Sequence, residues 1–138
     1  RIIVYPVHCL EPITVPLVNK FYKQFSVRGR ANKQDQCWVA KSDRIIAACR
    51  VQHKGEALFL STVFVDPAFR SQGVARQLIV TAVASQHCSI FTFAYRDLEP
   101  FYQGLGFERA LSMPEHLSIS FANYVRQKRD IVAMCIYK

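Results

Sequence analysis

The chain has 138 residues, 51% of them hydrophobic and 20% charged, which suits one domain with a real core over residues 1–138 and excludes a disordered chain. No apolar run approaches the ~20 residues that a membrane span needs. The net charge of +8 admits acidic substrates, a phosphorylated cofactor or nucleic acid as partners.

Ile2 to Val7 reads as a first strand rather than a signal segment, because it runs into Glu11-Pro12 without a small-residue cleavage site. Ile13, Leu17, Phe21 and Phe25 recur at i, i+4, i+8 and i+12, predicting a helix from Pro12 to Phe25 with that stripe buried. "SVRGRANKQDQ" (Ser26 to Gln36) has no apolar period and is a polar, basic loop. Three strand-like runs come next, "CWVAK", "RIIAACRVQ" and "ALFLSTVFV", separated by Ser42-Asp43 and by Lys54-Gly55-Glu56. They form an antiparallel meander.

A helix to Ser85 then carries Val74, Leu78, Val80, Thr81 and Val83. "SIFTFAY" is a buried strand, and "LEPFYQGLGF" a short helix stopped by Gly104 and Gly106. Ser112 and Glu115 stand at capping-box spacing before a last helix with Leu117, Phe121 and Val125 inward. "IVAMCIYK" closes the chain as a strand. The five cysteines (Cys9, Cys37, Cys49, Cys88, Cys135) form no C-x-x-C pair. They read as reduced, mostly buried thiols of a cytoplasmic protein, and no metal site is expected.

The stretch "VFVDPAFRSQGVARQLI" passes from strand to helix through a short link carrying Arg70 and Gly73. Such a turn presents unpaired N–H groups at the positive end of a helix dipole, an arrangement that binds phosphate. Gly73 permits close approach of a ligand to the backbone, Ala75 keeps the helix from blocking it, and Arg70 adds a fork of donors suited to phosphate oxygens. The spacing is neither a P-loop nor G-x-G-x-x-G.

"VDPAFRSQGVA" resembles the acetyl-CoA-binding signature of the GNAT superfamily of N-acetyltransferases, R/Q-x-x-G-x-G/A after a V-x-P strand end, with Arg70, Gly73 and Ala75 in its fixed places. A second family hallmark, Y-x-x-x-G-F after a short helix, is matched by "PFYQGLGF" (Pro100 to Phe107). The resemblance implies an α/β fold: a mixed, mostly antiparallel sheet flanked by helices and splayed between the fourth and fifth strands. It implies that acetyl-CoA is the co-substrate. Backbone groups of Val63, Phe64 and Val65 would pair with the pantetheine arm. The loop Arg70, Ser71, Gln72, Gly73, Val74, Ala75 and Arg76 would hold the pyrophosphate.

The implied reaction is direct attack of an amine on the thioester, without a metal. Tyr102 is the candidate proton donor to the leaving thiolate, since a phenol (pKa about 10) is protonated where a thiol (about 8.5) begins to ionise. The carboxylate that many members carry before the V-x-P valine is replaced by Ser61 and Thr62, leaving His53, Glu56, Glu99 and His116 as substitutes acting through water. The resemblance also implies that the basic loop with Arg28 and Arg30 borders the acceptor side, with Tyr95 a candidate to line the acceptor pocket.

From Lys20 to Lys54 nine basic residues face two acids, a local charge of +7. Three functions compete: an N-acetyltransferase acting on a small-molecule or peptide amine, a non-catalytic acetyl-CoA-binding regulator, and a nucleic-acid-associated protein. The basic loop lacks the interleaved aromatics of a stacking platform, which argues against nucleic acid. A homodimer is compatible with the sequence, and no membrane partner is expected.

Overall fold

The computed structural model describes residues 3–138. Its elements are β1 (Val7–Cys9), α1 (Val15–Gln24), β2 (Gln36–Lys41), β3 (Ile45–Lys54), β4 (Ala57–Val65), α2 (Val74–Ala84), β5 (Ile90–Tyr95), α3 (Glu99–Gly104), β6 (Glu108–Arg109), α4 (Glu115–Arg126) and β7 (Ile131–Ile136). The strands form one sheet in the order β1-β2-β3-β4-β5-β7-β6. Pairing is antiparallel at β1–β2, β2–β3, β5–β7 and β6–β7, and parallel at β4–β5. That is the mixed, mostly antiparallel α/β architecture expected. The parallel registers run from Leu58–Ile90 to Leu60–Thr92, while β4 continues to Val65 and β5 to Tyr95.

The chain falls into two compact units, one running up to Gln52 and taking Ser61–Ser85, the other His53–Leu60 with Gln86–Lys138. In the first, α1 buries Val15, Val18, Phe21 and Tyr22 against Cys37, Val39 and Ala48. This corrects the expected stripe, for Ile13 is 80% and Leu17 50% exposed. Successive i+4 steps drift by about 40° each around a 3.6-residue helix, whereas i, i+3, i+7 stays on one face. Pro12–Thr14 is a separate 3-10 turn ahead of α1, and Val80 of α2 faces solvent while Ile79 and Ala82 are buried.

The first strand also begins later than expected, at Val7; Ile2 lies outside the described residues. The segment before it is held by a side chain instead. The Gln77 amide accepts from Tyr5 N–H at 2.9 Å and donates to Ile3 C=O at 2.8 Å. Gln77 thus stands in for a neighbouring strand, and Pro6, which has no N–H to donate, accepts from Lys41 N–H at 3.0 Å.

In the second unit, Ala57, Phe59, Phe91, Leu117 and Cys135 pack together with Phe93 at their edge. Thr92 is buried with its hydroxyl donating to Leu60 C=O at 2.9 Å. The expected capping box is not made: Pro114 is the N-cap of α4 and no side chain caps it. Val125 is exposed, and Tyr124 packs edge-on to Phe93 in its place. The two-residue strand β6, too short for any periodic signal, pairs with Cys135 and Met134.

Candidate functional site

β4 ends where Asp66 turns the chain. The buried Asp66 carboxylate accepts from Ala68 N–H at 2.9 Å and from Arg44 Nη2 at 2.9 Å, and its own N–H donates to Ile46 C=O at 2.8 Å. These bonds fix a 3-10 turn over Pro67–Phe69. Tyr5 adds an edge-on contact to Phe69 and a hydroxyl bond to Gln72 Oε1 at 2.9 Å.

The loop then passes through two left-handed residues, Ser71 (φ 63°) and Gly73 (φ 76°). Gly73 is the N-cap of α2, and the first helical bond runs from Gln77 N–H to Gly73 C=O at 3.1 Å. The amides of Gly73 to Arg76 therefore precede the helical ladder at its positive end. A Cβ built on Gly73 meets nothing within 4 Å. No neighbour demands a glycine here; the backbone conformation does, and the space before it is open. Arg70 is exposed, leans over the Phe64 ring at 5.2 Å and donates from Nε to Val65 C=O at 3.3 Å. The loop thus combines left-handed backbone, amides ahead of a helical ladder and an exposed arginine.

Upstream, β4 contains a second unusual residue, Thr62, with φ 54°. The hydroxyl of the buried Tyr22 donates to Thr62 C=O at 2.8 Å. Burial pushes the Tyr22 phenol far above its usual pKa, so it stays a donor at any physiological pH. Arg50 Nη1 donates to Thr62 Oγ1 at 3.3 Å, and Arg50 is itself paired with Asp35. Ser61 Oγ donates to Gln52 Oε1 at 2.8 Å. The two hydroxyls standing where a family carboxylate is common are tied into this network. Gly29, between the exposed Arg28 and Arg30, lies against the Thr62 side chain: a Cβ there would come within 3.2 Å of Oγ1. Periodicity and motif spacing do not reveal this network, since Tyr22 and Thr62 stand 40 residues apart.

In the second unit, Tyr102 is buried on α3, edge-on to Phe101 (5.2 Å) and Phe107 (5.5 Å). Phe107 N–H bonds Tyr102 C=O at 3.1 Å, Gly106 N–H bonds Gln103 C=O at 3.0 Å, and Gly106 has φ 101°. That is a Schellman stop, in which Tyr102 and Phe107 are the two residues expected to touch. The Y-x-x-x-G-F motif is therefore the fold's way of ending α3 and fixing the Tyr102 ring. Tyr95 is exposed at the end of β5.

Of the substitutes for a base, His53 and His116 line one cavity of about 420 Å³ with Lys54, Gly55, Ile119 and Ser120. Glu56 is exposed. Glu99 is bound at both oxygens by Arg109, at 2.6 and 2.9 Å, and this bonding holds its carboxyl below the usual range, making it a weaker base. Among the described residues no three His, Cys, Asp or Glu side chains are grouped to hold a metal ion, and no helix is long and apolar enough to cross a membrane.

The strand order, the loop and the α3 stop define an acetyltransferase fold. A family model of the acetyltransferase (GNAT) domain matches residues 33–109, more than half of the chain, and the chain belongs to that family. Its fold is similar to that of a putative N-acetyltransferase from Lactobacillus plantarum (TM-score 0.71, 15% identity, 98% of this chain and 99% of that one). It is also similar to Rv2747 from Mycobacterium tuberculosis, solved in complex with CoA (0.70, 14%, 96% and 99%). A third similar structure is N-acetylglutamate synthase from Neisseria gonorrhoeae, complexed with coenzyme A and N-acetyl-glutamate (0.66, 12%). There the match covers 99% of this chain but only 36% of the synthase. No curated protein matches in sequence.

Proposed function

We propose that residues 1–138 act as one acetyl-CoA-dependent N-acetyltransferase domain. The observation that carries this is the open, left-handed Gly73 ahead of the α2 amides, with Arg70 beside it. The loop Arg70 to Arg76 holds the pyrophosphate, and the backbone of Val63 to Val65 takes the pantetheine arm. Structures of similar fold that carry CoA support this reading.

Acetyl-CoA supplies the activated acetyl group. The lone pair of a neutral primary amine forms the C–N bond, the C–S bond breaks, and Tyr102 gives its proton to the departing thiolate. The proton lost by the amine passes to water. With Ser61 and Thr62 both hydrogen-bonded and neither a useful base, the reaction suits an acceptor whose amine is neutral at working pH. Direct attack needs no metal.

Arg28 and Arg30 flank the glycine packed on Thr62, so the acceptor meets a positive rim; Tyr95 is assigned to the acceptor side as well. An amine that also carries a carboxylate or phosphate fits this field, as an amino acid derivative or an acidic N-terminus does. We assign the protein to the cytoplasm because its five cysteines are free thiols, three of them buried. The tied hydroxyls at 61 and 62 favour a second reading, a regulator that binds acetyl-CoA without turning it over.

A free-thiol release assay with acetyl-CoA and a panel of amines, amino acids and N-terminal peptides decides between them. Turnover with any acceptor supports the enzyme. Thermal stabilisation by CoA with no thiol release across the panel supports the regulator.

A further inference from the structure

We propose that Tyr22 and the Asp35–Arg50 pair are positioning residues for the cofactor strand: they hold Thr62 in a left-handed conformation and so fix where Val63 to Val65 present their backbone. The inference rests on the reading of that strand edge as the pantetheine site.

A β-branched residue at φ 54° is strained, and such strain persists only where the surroundings over-determine it. Three neighbours do so here. Tyr22 takes the Thr62 carbonyl at 2.8 Å, Arg50 Nη1 takes its hydroxyl at 3.3 Å, and the bare Cα of Gly29 leaves room for its side chain. Arg50 is not free to swing away, because Nε and Nη2 both bind Asp35 Oδ2, at 2.9 and 2.8 Å.

A left-handed residue inside a strand breaks the alternation of its N–H and C=O groups and re-aims the residues after it. In β4 it falls two residues after the parallel register ends at Leu60 and one before the segment assigned to the pantetheine arm. Tyr22, Asp35 and Arg50 belong to neither family motif. The strain is therefore maintained by side chains from α1, the basic loop and β3, and its effect is felt in the Val63–Val65 backbone.

The test combines backbone NMR shifts of residue 62 with CoA titration calorimetry in wild type, Tyr22→Phe, and Tyr22→Phe with Thr62→Gly. Tyr22→Phe should move residue 62 toward extended values and raise the Kd for CoA roughly three- to tenfold, the worth of one net hydrogen bond. Thr62→Gly should recover most of that loss, because glycine takes a positive φ without strain. A wild type that does not bind CoA overturns the cofactor reading and the positioning role with it. A wild type that binds, with Tyr22→Phe equal to it in shift and affinity, overturns the positioning role alone. So does a loss that Thr62→Gly leaves unrepaired, which would make Tyr22 ordinary core.

Discussion

Arg44 and Asp66 meet at 2.9 Å beside the 3-10 turn that opens the loop Arg70 to Arg76, and the buried carboxylate holds Ala68 N–H at the same time. Asp66→Ala removes both bonds and should cost about 1–3 kcal/mol of stability by denaturant unfolding. CoA affinity should fall with it. Asp66→Asn keeps an oxygen for Ala68 and should lose less. Equal stability of all three proteins would mean that the turn forms without its aspartate.

For the loop itself, Arg70→Ala should weaken CoA binding by about 1.5–3 kcal/mol, the usual worth of a charge-assisted bond. Gly73→Val should do worse, since a β-branched side chain resists φ 76° and occupies the open space before the amides. Calorimetry giving wild-type affinity in both variants removes the pyrophosphate from this loop.

For Tyr102, replacement by Phe should lower kcat with little change in CoA affinity, because a proton given to sulfur matters in the transition state. Gly106→Ala is the companion variant. It strains the Schellman stop that fixes the ring and should cost about 1 kcal/mol of stability. If Tyr102→Phe turns over like wild type at neutral pH, the tyrosine only packs against Phe101 and Phe107.

The acceptor prediction is one of rank order. Amines bearing a carboxylate or phosphate should outrun spermidine and lysine-rich peptides, and the gap should narrow as salt is added. Arg28→Glu combined with Arg30→Glu should reverse the order. A panel in which polycations lead, and which the double variant leaves unchanged, ends the electrostatic argument.

Burial pushes the thiols of Cys37 and Cys135 up to about 11 each. With folded values above an unfolded value near 8.5, the unfolded state loses these protons first. Their contribution to stability is complete below about pH 8.5 and should be lost as pH rises through about 11. In the native protein at pH 7.5, the exposed Cys88 and Cys9 should react with a thiol reagent, and Cys37, Cys49 and Cys135 only after unfolding. Five fast-reacting thiols without denaturant would contradict the buried assignments.

What could be read from the sequence was local. The run Ala57 to Val65 is β4 to the residue, because both ends are marked by turn chemistry: Gly55 with φ 66° and the Asp66-Pro67 step. Arg70, Gly73 and Ala75 lie within six residues, so the motif is legible, whereas the contacts of Arg44 and Tyr5 that brace the loop come from far along the chain and are not. The stripe of α1 is misphased in the sequence pattern because apolar Ile13 and Leu17 repeat at a spacing that resembles a helix face yet drifts off it. The left-handed Thr62 leaves no trace in its own neighbourhood, where "LSTVFV" reads as unbroken strand. Its cause lies in Tyr22 and Arg50, and only tertiary structure brings those to it.

The grip of Gln77 on Ile3 and Tyr5 also imposes an order of events on the newly made chain. Tyr5 leaves the ribosome 72 residues ahead of the amide that will bind it, a delay of about 4–14 s at ordinary synthesis rates. Until then its N–H has water for a partner, and the loop that Tyr5 braces through Gln72 is not yet made. The bonds that hold Ile3 and Tyr5 thus form only once Gln77 has been made. In pulse-labelled hydrogen exchange during refolding, the Tyr5 amide should gain protection together with α2 and not before it.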